Sequence, residues 1–478
     1  MSARFTAAQA AWAAGAQILD GSPGQDFAGV FTDSRAPVAG ALFVALVGDR
    51  HDGSQFAVAA AKAGAAGVLV PAGAAARVRD ELRAAGLKPV LLAAADTGRA
   101  LGGLAHAWRA SLPDLRVVCV TGSTGKTSTK ELVASVLETA GSTLKTEGNL
   151  NNEVGVPLTL FRLGPEHRYA VVEAGMNHLG EIARLAGWAD PDVGLVTNVG
   201  PVHLEGTGSL DGVAHAKGEL FHALRDGATA VANADDARVL SQARLSRRRL
   251  ITYGASTAAH VRLISAHHGG PGLRVELAFP DAQTRLAELH LIGTHNGHNA
   301  VAAAAVGFAL GFDPDRIVGG LGNARTTGRR MRPVTLPGGG LLIDDCYNAN
   351  PQSTKAALLT LTHLVRGQGR AIAVLGDMLE LGPTELDLHR DVGRFAAGAG
   401  LALLVCFGNR ARAIGEGAME SGIPAEHIDF AEEPAQAVEI VRRHARPEDV
   451  ILVKGSRGMK MERISDPLAG VEPAAGGH

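Results

Sequence analysis

The chain has 478 residues, enough for about three domains at roughly 150 residues each. Its 46% hydrophobic and 20% charged residues exclude wholesale disorder and can bury a sizeable core. A formal charge of -2 argues against nucleic acid as a partner. The densest basic run, Arg247, Arg248 and Arg249, reads as an exposed helix end. Cys119, Cys346 and Cys406 stand far apart, in or beside apolar runs. Neither a disulfide framework nor a paired-cysteine metal knuckle is available, and a reducing cytoplasm is the expected compartment.

The Ala-rich start, TAAQAAWAAGAQIL from Thr6, is interrupted by Gln9 and Gln17 and has no strongly basic leader. It reads as a helix rather than a signal peptide. Strand-like runs follow at ALFVAL from Ala41 and GVLVPAG from Gly67. The apolar stretch around the second contains Pro71 and is too short for a membrane span of about 18–20 residues, so no membrane insertion is expected. These runs suggest an amino-terminal α/β domain over residues 1–112. A second domain, 113–331, is marked by VVCVTG from Val117, YAVVEAG from Tyr169, VGLVTNVG from Val193 and TAVANAD from Thr229. Continuous apolar strands separated by helical lengths predict a doubly wound parallel sheet. From about residue 260 to 292 the period becomes two, with HGGPG and PDAQ turn signals, predicting a small antiparallel sheet appended to this domain. A helix is expected over about 297–310. After PGGG a fresh α/β series, LLIDD, AIAVLG from Ala371, LALLVCFG from Leu401 and DVILVKG from Asp449, predicts a third, Rossmann-like domain over 332–478. The Gly-rich tail EPAAGGH is expected to fray.

TGSTGKT, residues 121–127, joins the apolar strand RVVCV to a helical segment, so backbone N–H groups and a helix N-terminus converge where phosphates would sit. Gly122 and Gly125 allow close approach, with Ser123, Thr124 and Ser128 completing the cradle. Lys126 would neutralise β- and γ-phosphates, and the Thr127 hydroxyl would help hold a divalent metal. The alternative is a plain strand-to-helix turn. The common phosphate loop has glycine where this chain has Val120, and the shorter form resembles the loop of the Mur ligase superfamily.

That resemblance implies an ATP-dependent amide-forming ligase that uses Mg²⁺. YAVVEAG places Glu173 at a strand end, matching the family's metal ligand, and His203, after VGLVTNVGP, resembles the second-metal ligand. Lys217, in AHAKGELF, matches the lysine carried as an N-carbamate; a solvated helix lysine is the reading its own surroundings favour. IGTHNGHNAVAAAA resembles the adenine-side motif, with Asn296 the base contact and Asn299 equally a helix cap. TTGRRMRP offers Arg329 for charge on the transferred phosphoryl group, with the choice between Arg329 and Arg330 open.

In the third domain, IDDCYNANP matches the family pattern that puts Asp345 and Tyr347 near ribose and phosphates, with Asn348 and Asn350 toward substrate. Lys454, Ser456 and Arg457 of VKGSRGMKMERI would meet an incoming dipeptide, or form an ordinary surface loop. FTDSRAPVAGALFVALVGDRHDG resembles the family's uridine-nucleotide segment, with Ser34 and Arg35 as contacts. TEGNLNNEVGVP resembles the dipeptide-adding branch, with Asn149, Asn151 and Asn152 toward the substrate. The resemblance spans nearly the whole chain. It implies UDP-N-acetylmuramoyl-tripeptide and D-alanyl-D-alanine as substrates, an acyl phosphate between them, a role in peptidoglycan synthesis, and a monomeric enzyme. A neighbouring ligase that adds the third amino acid, and a nucleotide-binding protein without ligase activity, are the alternatives.

Overall fold

Runs such as VVCV and AIAVL are apolar at every position, and each becomes a strand buried on both faces. The computed structural model describes residues 3–48, 51–269, 272–281, 283–325, 328–365 and 369–471, so the tail and parts of the two predicted hairpin turns lie outside them. Three main sheets are formed, each flanked by helices, in a three-domain α/β fold.

In the central sheet Thr143–Lys145, Tyr169–Glu173, Arg116–Thr121, Val193–Val196, Thr229–Asn233 and Arg249–Gly254 lie side by side in parallel. Arg116–Thr121 comes first among them in the chain but lies inside the sheet. The connections depart to one side of it and later return on the other, which opens a crevice at its carboxyl end. The phosphate loop begins at that end.

The period-two segment forms Val261–Gly269, Gly272–Ala278 and Thr284–Leu289, yet not as a separate sheet. Val261 and Arg262 pair in parallel with Tyr253 and Gly254, and the antiparallel meander extends the central sheet to nine strands among the described residues. Its apolar face, including Val275, Leu277 and Ala287, shares a core with the alanines of helix His295–Ala309. Alanine lets that helix lie close to the sheet and carry its N-terminus to the crevice.

The amino-terminal sheet runs Gln17–Asp20, Val90–Ala94, Gly67–Pro71, Leu42–Val44 and Val30–Phe31, the first strand antiparallel. Before it, Ala7–Ala14 is a helix, and Gln9 has a specific task there: with Thr6 it forms a capping box. The third sheet runs Arg332–Thr335, Leu341–Asp345, Val450–Lys454, Ala371–Gly376, Leu401–Phe407 and Ile428–Ala431, with only the first strand antiparallel. Its carboxyl ends present Asp345 and Lys454.

Two further details differ from the sequence reading. Residues 247–249 are not a helix end, because the preceding helix stops at Leu245, Arg247 takes φ 56° and Arg249 opens a strand. The helix predicted from 297 starts at His295, with Asn296 already in its first turn. All three cysteines are buried thiols. Among the described residues no helix is long and apolar enough to cross a membrane.

Candidate functional site

The loop after Arg116–Thr121 is held open by its neighbours. Thr124 N–H donates to Asn198 Oδ1 at 2.9 Å, Asn198 Nδ2 donates to Thr124 Oγ1 at 2.8 Å, and Thr197 Oγ1 donates to the Thr124 carbonyl at 2.6 Å. Gly200 N–H donates to Ser123 Oγ at 2.8 Å. Gly122 sits at φ 148°, and a Cβ there would run into Thr197 Oγ1, so the close approach requires glycine. Gly125, at φ 77°, caps helix Lys126–Glu138 without blocking its N-terminus. Lys126 Nζ donates to the Gly122 carbonyl at 2.8 Å, which folds the ammonium over the loop. Burial lowers its pKa, Glu173 opposes that, and Arg330 adds to it.

Glu173 lies at the end of the adjacent strand and is 2% exposed. Its Oε2 accepts the Thr127 hydroxyl at 2.8 Å and its Oε1 accepts Asn151 Nδ2 at 2.9 Å. Thr146 fixes this arrangement from behind: its hydroxyl accepts Glu173 N–H at 3.0 Å and its carbonyl accepts Nζ of buried Lys130 at 2.6 Å. Two of the expected metal ligands, Thr127 and Glu173, are therefore in direct contact.

His203 lines the same cleft but turns Nδ1 toward Glu380 Oε2, 3.0 Å away, and the Glu380 carboxyl is lowered by that hydrogen bond. Lys217 is 1% exposed and does not line the cleft. It is not the solvated helix lysine that its sequence surroundings suggest. Burial pushes its pKa well down, the charge of Lys126 adds to this, and no carboxylate reaches it among the described residues. No three His, Cys, Asp or Glu side chains converge as a ready-made metal cluster among the described residues.

The opposite wall of this cleft, which encloses about 950 Å³, comes from the third sheet. Asp345 Oδ2 accepts Lys454 Nζ at 2.6 Å and its Oδ1 accepts Met331 N–H at 3.1 Å. Lys454 also donates to the Asn348 carbonyl at 2.8 Å, so it is committed to a buried pair rather than free for a dipeptide. Arg329 is turned away from the cleft: its guanidinium bonds Asp344 at 2.9 Å and Asp466 at 2.8 Å. Arg330 takes its place, lining the cleft with its guanidinium 3.9 Å from the Tyr347 ring centre.

Several further expectations are redirected by backbone demands. Asn152 and Asn350 both line the cleft, but Asn152 Oδ1 accepts Gly155 N–H at 2.8 Å to start a helix, and Asn350 Oδ1 caps helix Pro351–Leu364 from 2.9 Å. Ser456 is buried, accepting Leu379 N–H at 2.9 Å. Asn149, Asn348 and Arg457 do line the cleft, Arg457 with a 3.0 Å contact to Glu462. Asn299 accepts Thr129 Oγ1 at 3.2 Å and donates to Asn296 Oδ1 at 2.8 Å, tying the alanine-rich helix to the phosphate-loop helix. Asn296 donates to the Ile292 carbonyl at 2.8 Å. Ser34 and Arg35 stand in the amino-terminal domain, outside this cleft, where Arg35 pairs with Asp33 and brings that carboxyl down to about 2.

Sequence reasoning missed Asn198, His295 and Glu380. Asn198 follows a buried strand at a crevice-facing end, a signal that VTNVG carries. His295 opens into the cleft beside Asp345 and Lys454, and the surrounding protein pushes its pKa down to about 4. Glu380 lies in VLGDMLELG, a run that resembles the family's dipeptide-adding branch as a whole, but nothing in the run singles out this acid.

The Mur ligase middle-domain model matches residues 120–307, the Mur ligase glutamate ligase domain matches 329–457, and the Mur ligase family catalytic domain matches 26–109. The chain is 40% identical over 438 residues to UDP-N-acetylmuramoyl-tripeptide–D-alanyl-D-alanine ligase of Escherichia coli (strain K12), covering 91% of this chain and 92% of that one. Among solved structures it resembles MurF from Acinetobacter baumannii, with TM-score 0.87 and 31% identity over 98% of this chain and 99% of that one. It also resembles MurF ligase from Thermotoga maritima in complex with ADP, with TM-score 0.79 and 25% identity over 92% and 97%.

Proposed function

The chain belongs to the Mur ligase family, and from that premise we propose that it joins D-alanyl-D-alanine to UDP-N-acetylmuramoyl-tripeptide, turning ATP into ADP and phosphate. The product is the pentapeptide precursor of peptidoglycan. The observation that carries this reading is the pairing of a strand–glycine–helix phosphate loop with a second, polar wall across one cleft. Residues 1–112 are assigned to the uridine nucleotide, 113–331 to ATP and 332–478 to closing the cleft. Nucleotide substrates make the cytoplasm the working compartment.

In the first step a carboxylate oxygen of the tripeptide bonds to the γ-phosphorus and the bond to ADP breaks. In the second, the dipeptide amine nitrogen bonds to the acyl carbon and loses a proton, and phosphate leaves. Lys126 and the loop N–H groups meet phosphate charge, and Arg330 supplies a second cation from the Tyr347 side. Water exclusion by the facing domains protects the acyl phosphate.

The donor set at Glu173 and Thr127 is all oxygen, as a hard divalent cation requires, so these side chains fit Mg²⁺. Bound there, Mg²⁺ would offset phosphate charge. Lys217 fits N-carbamylation: its amine is buried and favoured neutral, which is the form that adds CO₂ to give a carbamate and release a proton.

Phosphate release measured with separate amines tests the reading. D-alanyl-D-alanine should support release where diaminopimelate or lysine does not. Release with a diamino acid alone would make the chain the neighbouring ligase, and release with neither would leave a binding protein. Formation of AMP and pyrophosphate would overturn the phosphoryl chemistry.

A further inference from the structure

His203 and Glu380 meet across the cleft from two different domains. The contact runs from Nδ1 to Oε2 over 3.0 Å. Both residues have positive φ, 52° for His203 and 64° for Glu380, a conformation non-glycine residues rarely adopt and one that persists only where the surroundings impose it.

The surroundings do impose it. On the third-domain side, Met378 N–H donates to His389 Nε2 at 2.9 Å, Leu379 N–H donates to Ser456 Oγ at 2.9 Å, and Ser456 N–H donates to the Asp377 carbonyl at 3.0 Å. His389 is itself fixed by a 2.6 Å contact to the Glu385 carbonyl. The backbone just before Glu380 is therefore pinned on both flanks, while the Glu380 side chain is 64% exposed and reaches outward. On the central side, the His203 carbonyl accepts Gly206 N–H at 3.1 Å and Thr207 Oγ1 at 2.9 Å, anchoring the turn that presents the imidazole. Packing does not require this carboxylate at this place. Its reach ends on one ring nitrogen.

A carboxylate on Nδ1 selects the tautomer with hydrogen there, leaving the Nε2 lone pair available to a ligand. We propose that Glu380 is a positioning residue that orients the His203 imidazole for a divalent cation, so that the central-domain site is finished by a side chain of the third domain. This rests on the proposed function together with the family resemblance, which makes His203 the second-metal ligand. Docking of the third domain and metal affinity are then coupled.

The test is Mn²⁺ binding, followed by electron paramagnetic resonance, to the full chain loaded with ADP. E380N suits the same left-handed backbone but is too short to reach His203, and it should weaken Mn²⁺ about tenfold or more, within the range for partners that orient metal-bound histidines. E380Q keeps an acceptor and should restore part of that affinity. In an H203A background E380N should add nothing. Mn²⁺ affinity within about twofold of the parent in E380N, an equal loss in the H203A background, or no Mn²⁺ bound by the parent would each overturn the proposal. A parent that binds Mn²⁺ but releases no phosphate with D-alanyl-D-alanine would instead sink the function reading, so the two failures are distinguishable.

Discussion

Replacing Glu173 by glutamine separates its part in folding from its part in chemistry. Both carboxylate oxygens are in use, with Thr127 Oγ1 at 2.8 Å and Asn151 Nδ2 at 2.9 Å, and the residue is 2% exposed. Glutamine has the same shape. Its carbonyl can accept from Asn151 while its amide donates to Thr127, so the change exchanges one charged acceptor for a neutral one at about 1 kcal/mol. Removing a buried charge acts in the opposite direction. The two nearly cancel, and Tm in Glu173→Gln should move by less than about 3 °C, where about 1 kcal/mol corresponds to 2–4 °C. Activity should behave differently, because a neutral amide is a far weaker ligand than a carboxylate for the Mg²⁺ proposed at this site. Loss of one such contact costs roughly 2.7–4 kcal/mol, or about 100- to 1000-fold in kcat. The Glu173 charge also opposes the burial that lowers Lys126. Without it Lys126 loses its proton at lower pH, and the alkaline limb of the rate profile moves down. Phosphate release across a Mg²⁺ and pH series, beside a thermal melt, reads all of this. Activity within about threefold of the parent would refute a metal-binding role, and a large fall in Tm would show that the carboxylate serves the fold.

The adjacent arginines should give opposite phenotypes. Arg329→Ala strips a partner from Asp344, which is wholly buried and already has one oxygen without a hydrogen bond, so it should lose about 3 kcal/mol of stability in a denaturant titration. Arg330→Ala loses only the Tyr347 stack, about 0.5–1 kcal/mol, and should instead lower kcat/KM for ATP about tenfold. Lys217→Ala should lose activity, with partial rescue by acetate in the same phosphate-release assay; unchanged activity would exclude the carbamate. His389 makes stability depend on pH. Burial lowers its folded pKa below 6.5, so the unfolded chain takes up the proton first. Its contribution is complete above pH 6.5 and declines as pH falls below that value. His389→Gln should flatten this acid slope in melts across pH 5 to 7.

What was legible in the sequence is what local pattern controls. VVCVTGSTGKT carries strand, turn and helix start in eleven consecutive positions, so loop and sheet could be read together. The side chains that depend on distant partners could not. Asn198 stands at a strand end that could be read, but its contact to Thr124, like that of the Met378 backbone to His389, has no local signature. The choice between Arg329 and Arg330 was hidden for another reason. Gly328 at φ 64° and Met331 at φ 50° bracket the pair, so no regular alternation tells which guanidinium faces the cleft. Asn152 and Asn350 look like substrate amides because the same polar side chains that bind ligands also cap helices.

The electrostatics around the phosphate loop reach from Arg330 in the cleft to Lys217 outside its lining. Burial acts most on both lysines, Arg330 adds to it at Lys126 and Lys126 adds to it at Lys217, while the Glu173 carboxylate opposes it at Lys126. Burial and neighbouring positive charge thus both disfavour the protonated amine at Lys126. A bound triphosphate would oppose both and favour the protonated form of Lys126. Arg330 rests on Tyr347, just beyond the strand that ends in Asp345, so the relief is greatest when the third domain is docked. Nucleotide charge and domain docking therefore favour each other. Salt should weaken both together, because the same screened attraction underlies each.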